Sequence, residues 1–242
     1  MENRVNKTKR LTESAMLLAV AIVLELVSKA FIPEMPFGGQ ITLVSMLPVV
    51  LISYRHGVKW GLVSGVCYAL LEMALGAKTV AAAFQPGYFG DGVMLLNAFI
   101  MCLLDYLVAF TVLGLGGCFR NQIKNPGVGL MCGSFVALGA RYVAHIASGY
   151  ILFAGWAEWF FTQEGFPAWG ADLVASLSPE MLGFVYSVVY NGMYMLPEIV
   201  ITGIVSLLLA KIPQIVTKVN YYPKPPRKAS FSGRFSLTAA YE

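Results

Sequence analysis

Long apolar runs broken by short polar stretches make up most of this chain, and their lengths suit the roughly 20 helical residues that cross a bilayer core. Such runs fall near residues 12–32, 40–55, 58–76, 92–117, 128–154 and 182–210. The pattern predicts an all-α integral membrane protein of six transmembrane helices. Five is the alternative count, because the second run is short and contains Pro48. Residues 1–11 form a polar tail, 12–210 the membrane domain and 211–242 a basic tail. The last part, "NYYPKPPRKASFSGRFSLTAAYE", is rich in Pro, Ser and Lys without helical period, so disorder is expected there. No internal repeat of the kind that builds inverted-repeat carriers is visible.

Composition supports the membrane assignment: 57% of residues are hydrophobic and only 12% charged, against about a quarter charged in soluble domains. The basic residues fix an orientation, because cytoplasmic loops collect Lys and Arg. Arg4, Lys7, Lys9 and Arg10, then Arg55 and Lys59, then Arg120 and Lys124, and finally Lys211, Lys218, Lys224, Arg227, Lys228 and Arg234 account for 14 of the 17. All fall on one predicted side, whereas the other loops hold acids and Lys78. Both termini are therefore expected in the cytoplasm. The net charge of +4 reflects this topology and contact with anionic lipid headgroups, and calls for no nucleic-acid partner. The first apolar run continues past Glu25 with no A-x-A site, which reads as a span and not as a cleaved leader. Cys67, Cys102, Cys118 and Cys132 form no CxxC pair, so they are read as small buried hydrophobes and no metal site is expected.

Ionisable groups inside spans are costly and mark either a pair or a functional site. Here they are Glu25, Lys29, Glu72, Asp105, Arg141, His145 and Glu198. Glu25 and Lys29 have the i, i+4 spacing of an intrahelical ion pair. Glu72 and Glu198 fit a structural role or an outer vestibule as well as they fit ligand contact. Asp105, in the middle of "LLDYLVAF", needs a partner. Either it pairs with Arg141 or His145 and ties two spans together, or it is held for a bound molecule offering N–H donors or positive charge. In "RYVAHIASG" the residues Arg141, His145, Ser148 and Gly149 share one helix face. In "YSVVYNGMYMLPE", Tyr190, Asn191 and Tyr194 share much of another, and Asn191 would be unpaired against lipid. Aromatic faces beside a carboxylate suit a flat, cationic organic ligand. Trp156, Trp159 and Trp169 fit the interfacial aromatic belt. Ala15 and Ala19 give the small-xxx-small spacing that admits another helix at close range.

The ordered set "PFGGQITLVSMLPVVLISYRHGVKWGLVSG", "LLDYLVAFTVLGLGGCF", "RYVAHIASG" and "YSVVYNGMYMLPE" resembles the thiamine-specific substrate-binding subunits (S-components) of energy-coupling factor transporters. The tail after about residue 219 and the stretch "FTQEGFPAWGADLVASLS" lie outside the likeness. The resemblance implies a protein of a prokaryotic cell membrane, with its amino terminus inside, that captures thiamine from outside. It also implies that ATP is used elsewhere, by two ABC ATPases acting with a transmembrane coupling subunit. No cofactor and no catalytic residue belong to this chain on that reading, and it carries no GxxxxGK[ST] loop. By motif, Asp105 bonds the aminopyrimidine with Tyr106 beside it, and His145 lies against the thiazolium. Arg141, Tyr186 and Asn191 complete the set. Phe153 stands where some members have a tryptophan, with Trp156 and Trp159 nearby, and Phe37 is the aromatic expected to close over the ligand from the first outer loop. The loop "PEMPFGGQ" is the expected hinge of that closure. Ala15 and Ala19 match the family's docking motif. Other readings stay open: an S-component for a related heterocycle or another vitamin, an intramembrane enzyme using Asp105, His145 and Arg141, or a structural subunit with no ligand.

Overall fold

The computed structural model describes residues 2–35, 39–89 and 94–219. Among these, five helical segments are long and apolar enough to cross a membrane. They are α1 (Glu2–Phe31), α3 (Val58–Leu75), a composite rod spanning Leu95–Gly117, α7 (Pro126–Phe153) and α10 (Pro179–Leu209). The rod begins as α5 (Met94–Met101), passes through a π-helical stretch (Cys102–Val108) and α6 (Ala109–Thr111), and ends as a 3-10 segment (Val112–Gly117). Short helices α2 (Leu47–His56), α4 (Ala77–Ala83), α8 (Ala157–Phe161), α9 (Trp169–Ser176) and α11 (Pro213–Val216) complete the set. The five long segments match the predicted runs to within a few residues, apart from the start of α1.

The run predicted over 40–55 behaves differently, since only Leu47–His56 is helical. At 1.5 Å per residue α2 is about 15 Å long, half of a bilayer core. Residues 40–46 are instead a non-helical segment, buried at Gln40, Thr42, Ser45 and Met46 and exposed at Leu43, in which the Thr42 and Leu43 amides are satisfied by distant side chains. The Thr42 amide donates to Glu198 Oε2 (2.7 Å) and its hydroxyl to Glu198 Oε1 (2.8 Å). The Leu43 amide donates to Ser28 Oγ (2.7 Å), and the Gln40 amide group reaches the Ser28 and Ile32 carbonyls. Irregular backbone at membrane depth is tolerated where protein encloses it in this way. Glu198 is thereby accounted for as a structural group.

The outward faces of the long helices carry Leu, Val, Ile and Phe side chains that stand exposed, such as Val23 and Leu26 on α1 or Phe99 and Leu103 on the rod. Small and polar residues lie inside, the arrangement expected where lipid removes the hydrophobic incentive for helices to associate. Backbones approach closely: a Cβ at Gly133 of α7 would lie 1.9 Å from the Gly116 carbonyl oxygen, and one at Gly114 would lie 2.3 Å from the Leu62 amide nitrogen. Polar bonds join α7 to α10, among them Tyr142 to the Val188 carbonyl (2.7 Å) and Ser134 to Ser206 (3.0 Å). Asn125 caps α7 by accepting from the Gly127 amide at 2.9 Å, and Pro126 takes the first helical position.

One end of the bundle gathers the basic residues. Arg55 pairs with Glu13 of α1 and donates to the Gln214 carbonyl at 2.7 Å, while Arg120 donates to the Arg55 carbonyl at 3.0 Å. All four cysteines are unpaired; where the sequence suggested burial, Cys67 is exposed on α3 and Cys102, Cys118 and Cys132 are half-buried. The Cys67 side chain is small enough to face lipid without cost. Residues 220–242, the stretch in which disorder was expected, lie outside the described residues, as does Phe37.

Candidate functional site

At the end of the bundle opposite the basic one, a cavity of about 350 Å³ opens between α1, α3, the rod, α7 and α10. That volume lies in the range of small-molecule sites, roughly 300–1,000 Å³. Seven of the eight residues singled out by sequence line it: Asp105, Tyr106, Arg141, His145, Phe153, Tyr186 and Asn191. Phe37 is the eighth. Three elements, the rod, α7 and α10, therefore bring together groups up to 86 positions apart, Asp105 to Asn191, as 191 minus 105 gives.

Asp105 sits in the middle of the π-helical stretch. A π turn inserts a residue into the helical ladder and changes which side chains face inward, which is why such turns recur at functional sites. The carboxylate it presents accepts two hydrogen bonds from α7: His145 Nδ1 to Oδ1 at 2.8 Å and Ser148 Oγ to Oδ2 at 2.5 Å. Arg141, one turn before His145, donates through Nε to His145 Nε2 at 3.1 Å. A guanidinium can only donate, so Nε2 accepts and the imidazole proton resides on Nδ1, facing Asp105. The histidine is thus neutral and its tautomer fixed. Arg141 Nη1 lies on Met46 Sδ and the guanidinium stacks over Phe110 at 4.4 Å. Arg141 lines the cavity itself and also acts on it through His145.

Asn191 has a supporting place. Its Nδ2 donates to the His145 carbonyl (3.2 Å) and the Ser187 carbonyl (2.9 Å), and its Oδ1 accepts from Tyr194 at 2.6 Å. It pins α10 to the turn of α7 that carries His145. Tyr186 and Tyr190 form an aromatic wall with ring centroids 5.6 Å apart. Phe153 packs on Phe89 at 5.6 Å, whereas Trp156 and Trp159 pack on each other at 5.9 Å and do not line the cavity. Of the candidate stacking aromatics, then, Phe153 is the one on the wall.

Several lining residues carried no assigned role in the sequence reading: Gln40, Thr42, Lys78 and Tyr88. Tyr88 precedes the rod, and burial together with the nearby Asp105 charge pushes its phenol above the ordinary range, so it stays a hydroxyl at neutral pH. Glu25, Lys29 and Glu72, which the sequence flagged as costly, also line the cavity. No cluster of three metal-ligating side chains occurs among the described residues.

Residues 11–169 match the family described as thiamine transporter protein (Thia_YuaJ). The chain belongs to that family. It is 33% identical over 216 residues to the thiamine transporter ThiT of Bacillus subtilis (strain 168), a match covering 86% of this chain and 93% of that protein. Its fold resembles that of ThiT from Listeria monocytogenes, with a TM-score of 0.57 and 20% identity, covering 88% of this chain and 99% of the other. As a member of the thiamine transporter family with five long apolar helices, the chain is a multi-pass protein of a bacterial membrane. Ala15 and Ala19, away from the cavity, are both exposed on α1 near its basic end.

Proposed function

We propose that this chain is the thiamine-binding subunit of an energy-coupling factor importer, with thiamine held in the cavity built around Asp105. The observation that carries the reading is the Arg141–His145–Asp105–Ser148 constellation lining a ligand-sized cavity in a member of the thiamine transporter family. Asp105 has an unused lone pair on each oxygen and can accept N–H bonds from the aminopyrimidine. Neutral His145 tolerates a thiazolium beside it, where an imidazolium would repel it. Tyr106, Tyr186 and Phe153 supply aromatic faces, and Arg141 and Asn191 act by positioning His145. The positive-inside rule puts the basic end in the cytoplasm and the cavity outside.

Delivery is assigned to docking on a transmembrane coupling subunit with two ABC ATPases, through the exposed Ala15 and Ala19. Calorimetric titration of the purified protein with thiamine, with riboflavin and biotin as controls, tests the binding half, and it does not depend on the four tryptophans, none of which lines the cavity. Saturable heat from thiamine alone is expected. Binding only of another heterocycle would redirect the reading to that ligand. For the docking half, Ala15→Trp combined with Ala19→Trp is expected to leave thiamine affinity within about twofold of wild type and to cut uptake in cells by tenfold or more; undiminished uptake would exclude this face as the docking surface.

The fixed tautomer also predicts a pH dependence. Protonating His145 would set an Nε2–H against the Arg141 N–H and add charge next to a cationic ligand. Affinity should therefore fall in acid, where the imidazole takes up a proton against the Arg141 donor. A flat profile in the same titrations would contradict the neutral role of His145.

A further inference from the structure

The charges around the cavity do not balance residue by residue. Asp105 closes the donor chain from Arg141 through His145. Glu25 has Lys29 at 3.6 Å and accepts from Ser45 Oγ at 2.8 Å. Glu198 accepts from the Thr42 amide and hydroxyl. Among the buried carboxylates Glu72 is the exception; the exposed Glu34 and Lys78 also line the cavity. Glu72 lines the cavity and is 4% exposed, its Oε1 has no hydrogen-bond partner, and no cationic side chain lies within ion-pair distance of it among the described residues. A carboxylate in that position is costly unless something supplies the missing charge.

We propose that Glu72 is the counter-ion for the fixed positive charge of the ligand, a contact separate from the Asp105 contact to its pyrimidine. The inference rests on the thiamine reading above. Tyr106, adjacent to Asp105 on the rod, extends across to α3, where a Cβ on Gly76, one turn beyond Glu72, would lie 2.5 Å from the Tyr106 hydroxyl. Asp105 and Glu72 thus line the same cavity from the rod and from α3, the first already provided with donors and the second with one oxygen lacking a partner. A molecule carrying N–H donors at one end and a permanent cation at the other satisfies both. Selectivity follows: the Glu72 pole recognises charge and the Asp105 pole recognises hydrogen-bonding pattern.

The test compares thiamine with its neutral isostere, deazathiamine, in which carbon replaces the quaternary nitrogen. Wild-type protein should prefer thiamine by tenfold or more in calorimetric titrations. Glu72→Gln should reduce that preference to within about threefold, chiefly by weakening thiamine, and Glu72→Asp should restore part of it. Asp105→Asn should weaken both ligands together and leave the preference standing. An unchanged preference in Glu72→Gln, or equal loss of both ligands in both Glu72 variants, would overturn the counter-ion assignment while leaving thiamine binding by the wild type intact. Failure of the wild type to bind either compound would instead overturn the thiamine reading itself.

Discussion

Asp105→Asn is expected to weaken thiamine binding by about 10- to 100-fold while leaving the protein folded. The carboxylate is the terminus of a chain in which every bond is donated toward it: Arg141 to His145, His145 to Asp105, and Ser148 to Asp105. An asparagine keeps one acceptor oxygen and replaces the other with an NH2 group, which then faces a donor. If the amide opposes Ser148, the hydroxyl must rotate away; if it opposes His145, the ring must change tautomer and give up the bond from Arg141. Either outcome leaves a buried polar group without its partner, at about 1–3 kcal/mol, and removes a charge-assisted contact to the ligand of comparable size. Since about 1.4 kcal/mol is a factor of ten, a loss of one to two orders of magnitude follows. Calorimetric titration against wild type, with circular dichroism to verify helix content, measures it. Near-native affinity would remove Asp105 from the binding site.

The parts of this architecture that were legible in the sequence depend on local periodicity. Arg141, His145, Ser148 and Gly149 could be placed on one face because α-helical spacing is constant, and all four do line the cavity. The long apolar runs located the helices because bilayer thickness sets their length. What escaped depends on contacts remote in sequence. The break at residues 40–46 is stabilised by Glu198, 156 positions from Thr42, and no local signal records that bond. The π-helical stretch around Asp105 lies in a uniformly apolar run, where a shift from i+4 to i+5 bonding leaves the pattern of residue types unchanged. Glu72 was legible as a costly residue but not as an unpaired one, since only the packing shows that Lys29 of α1 pairs with Glu25 and not with Glu72. The sequence could rank the polar residues by cost; only the packing shows which costs are already met.

Close packing itself yields the second large effect. Gly149→Ala is expected to lower thiamine affinity at least tenfold and to destabilise the fold by about 1–3 kcal/mol, the usual penalty for overfilling a packed contact. A Cβ at this position would lie 2.3 Å from Ser187 Oγ and 3.0 Å from Asn191 Nδ2. Neither atom is free to yield, because Ser187 donates to the Ile146 carbonyl at 2.7 Å and Asn191 donates to the His145 carbonyl at 3.2 Å. Accommodating the methyl group therefore requires α10 to withdraw from α7 at the turn that aims His145, so a change of one carbon reaches the donor chain without touching it. Removing the obstructing side chain should reverse the effect. In the double variant Gly149→Ala with Ser187→Gly, the space taken by the new methyl is vacated by the lost hydroxymethyl, and affinity should recover to within a few-fold of wild type even though the Ser187 bond is gone. Thermal unfolding and thiamine titration of the two single variants and the double form a cycle whose coupling should exceed 1 kcal/mol in magnitude, as for residues in direct contact. Additive losses would mean that the α7–α10 separation does not control the site, and the geometry of His145 would then have to be set from the rod alone.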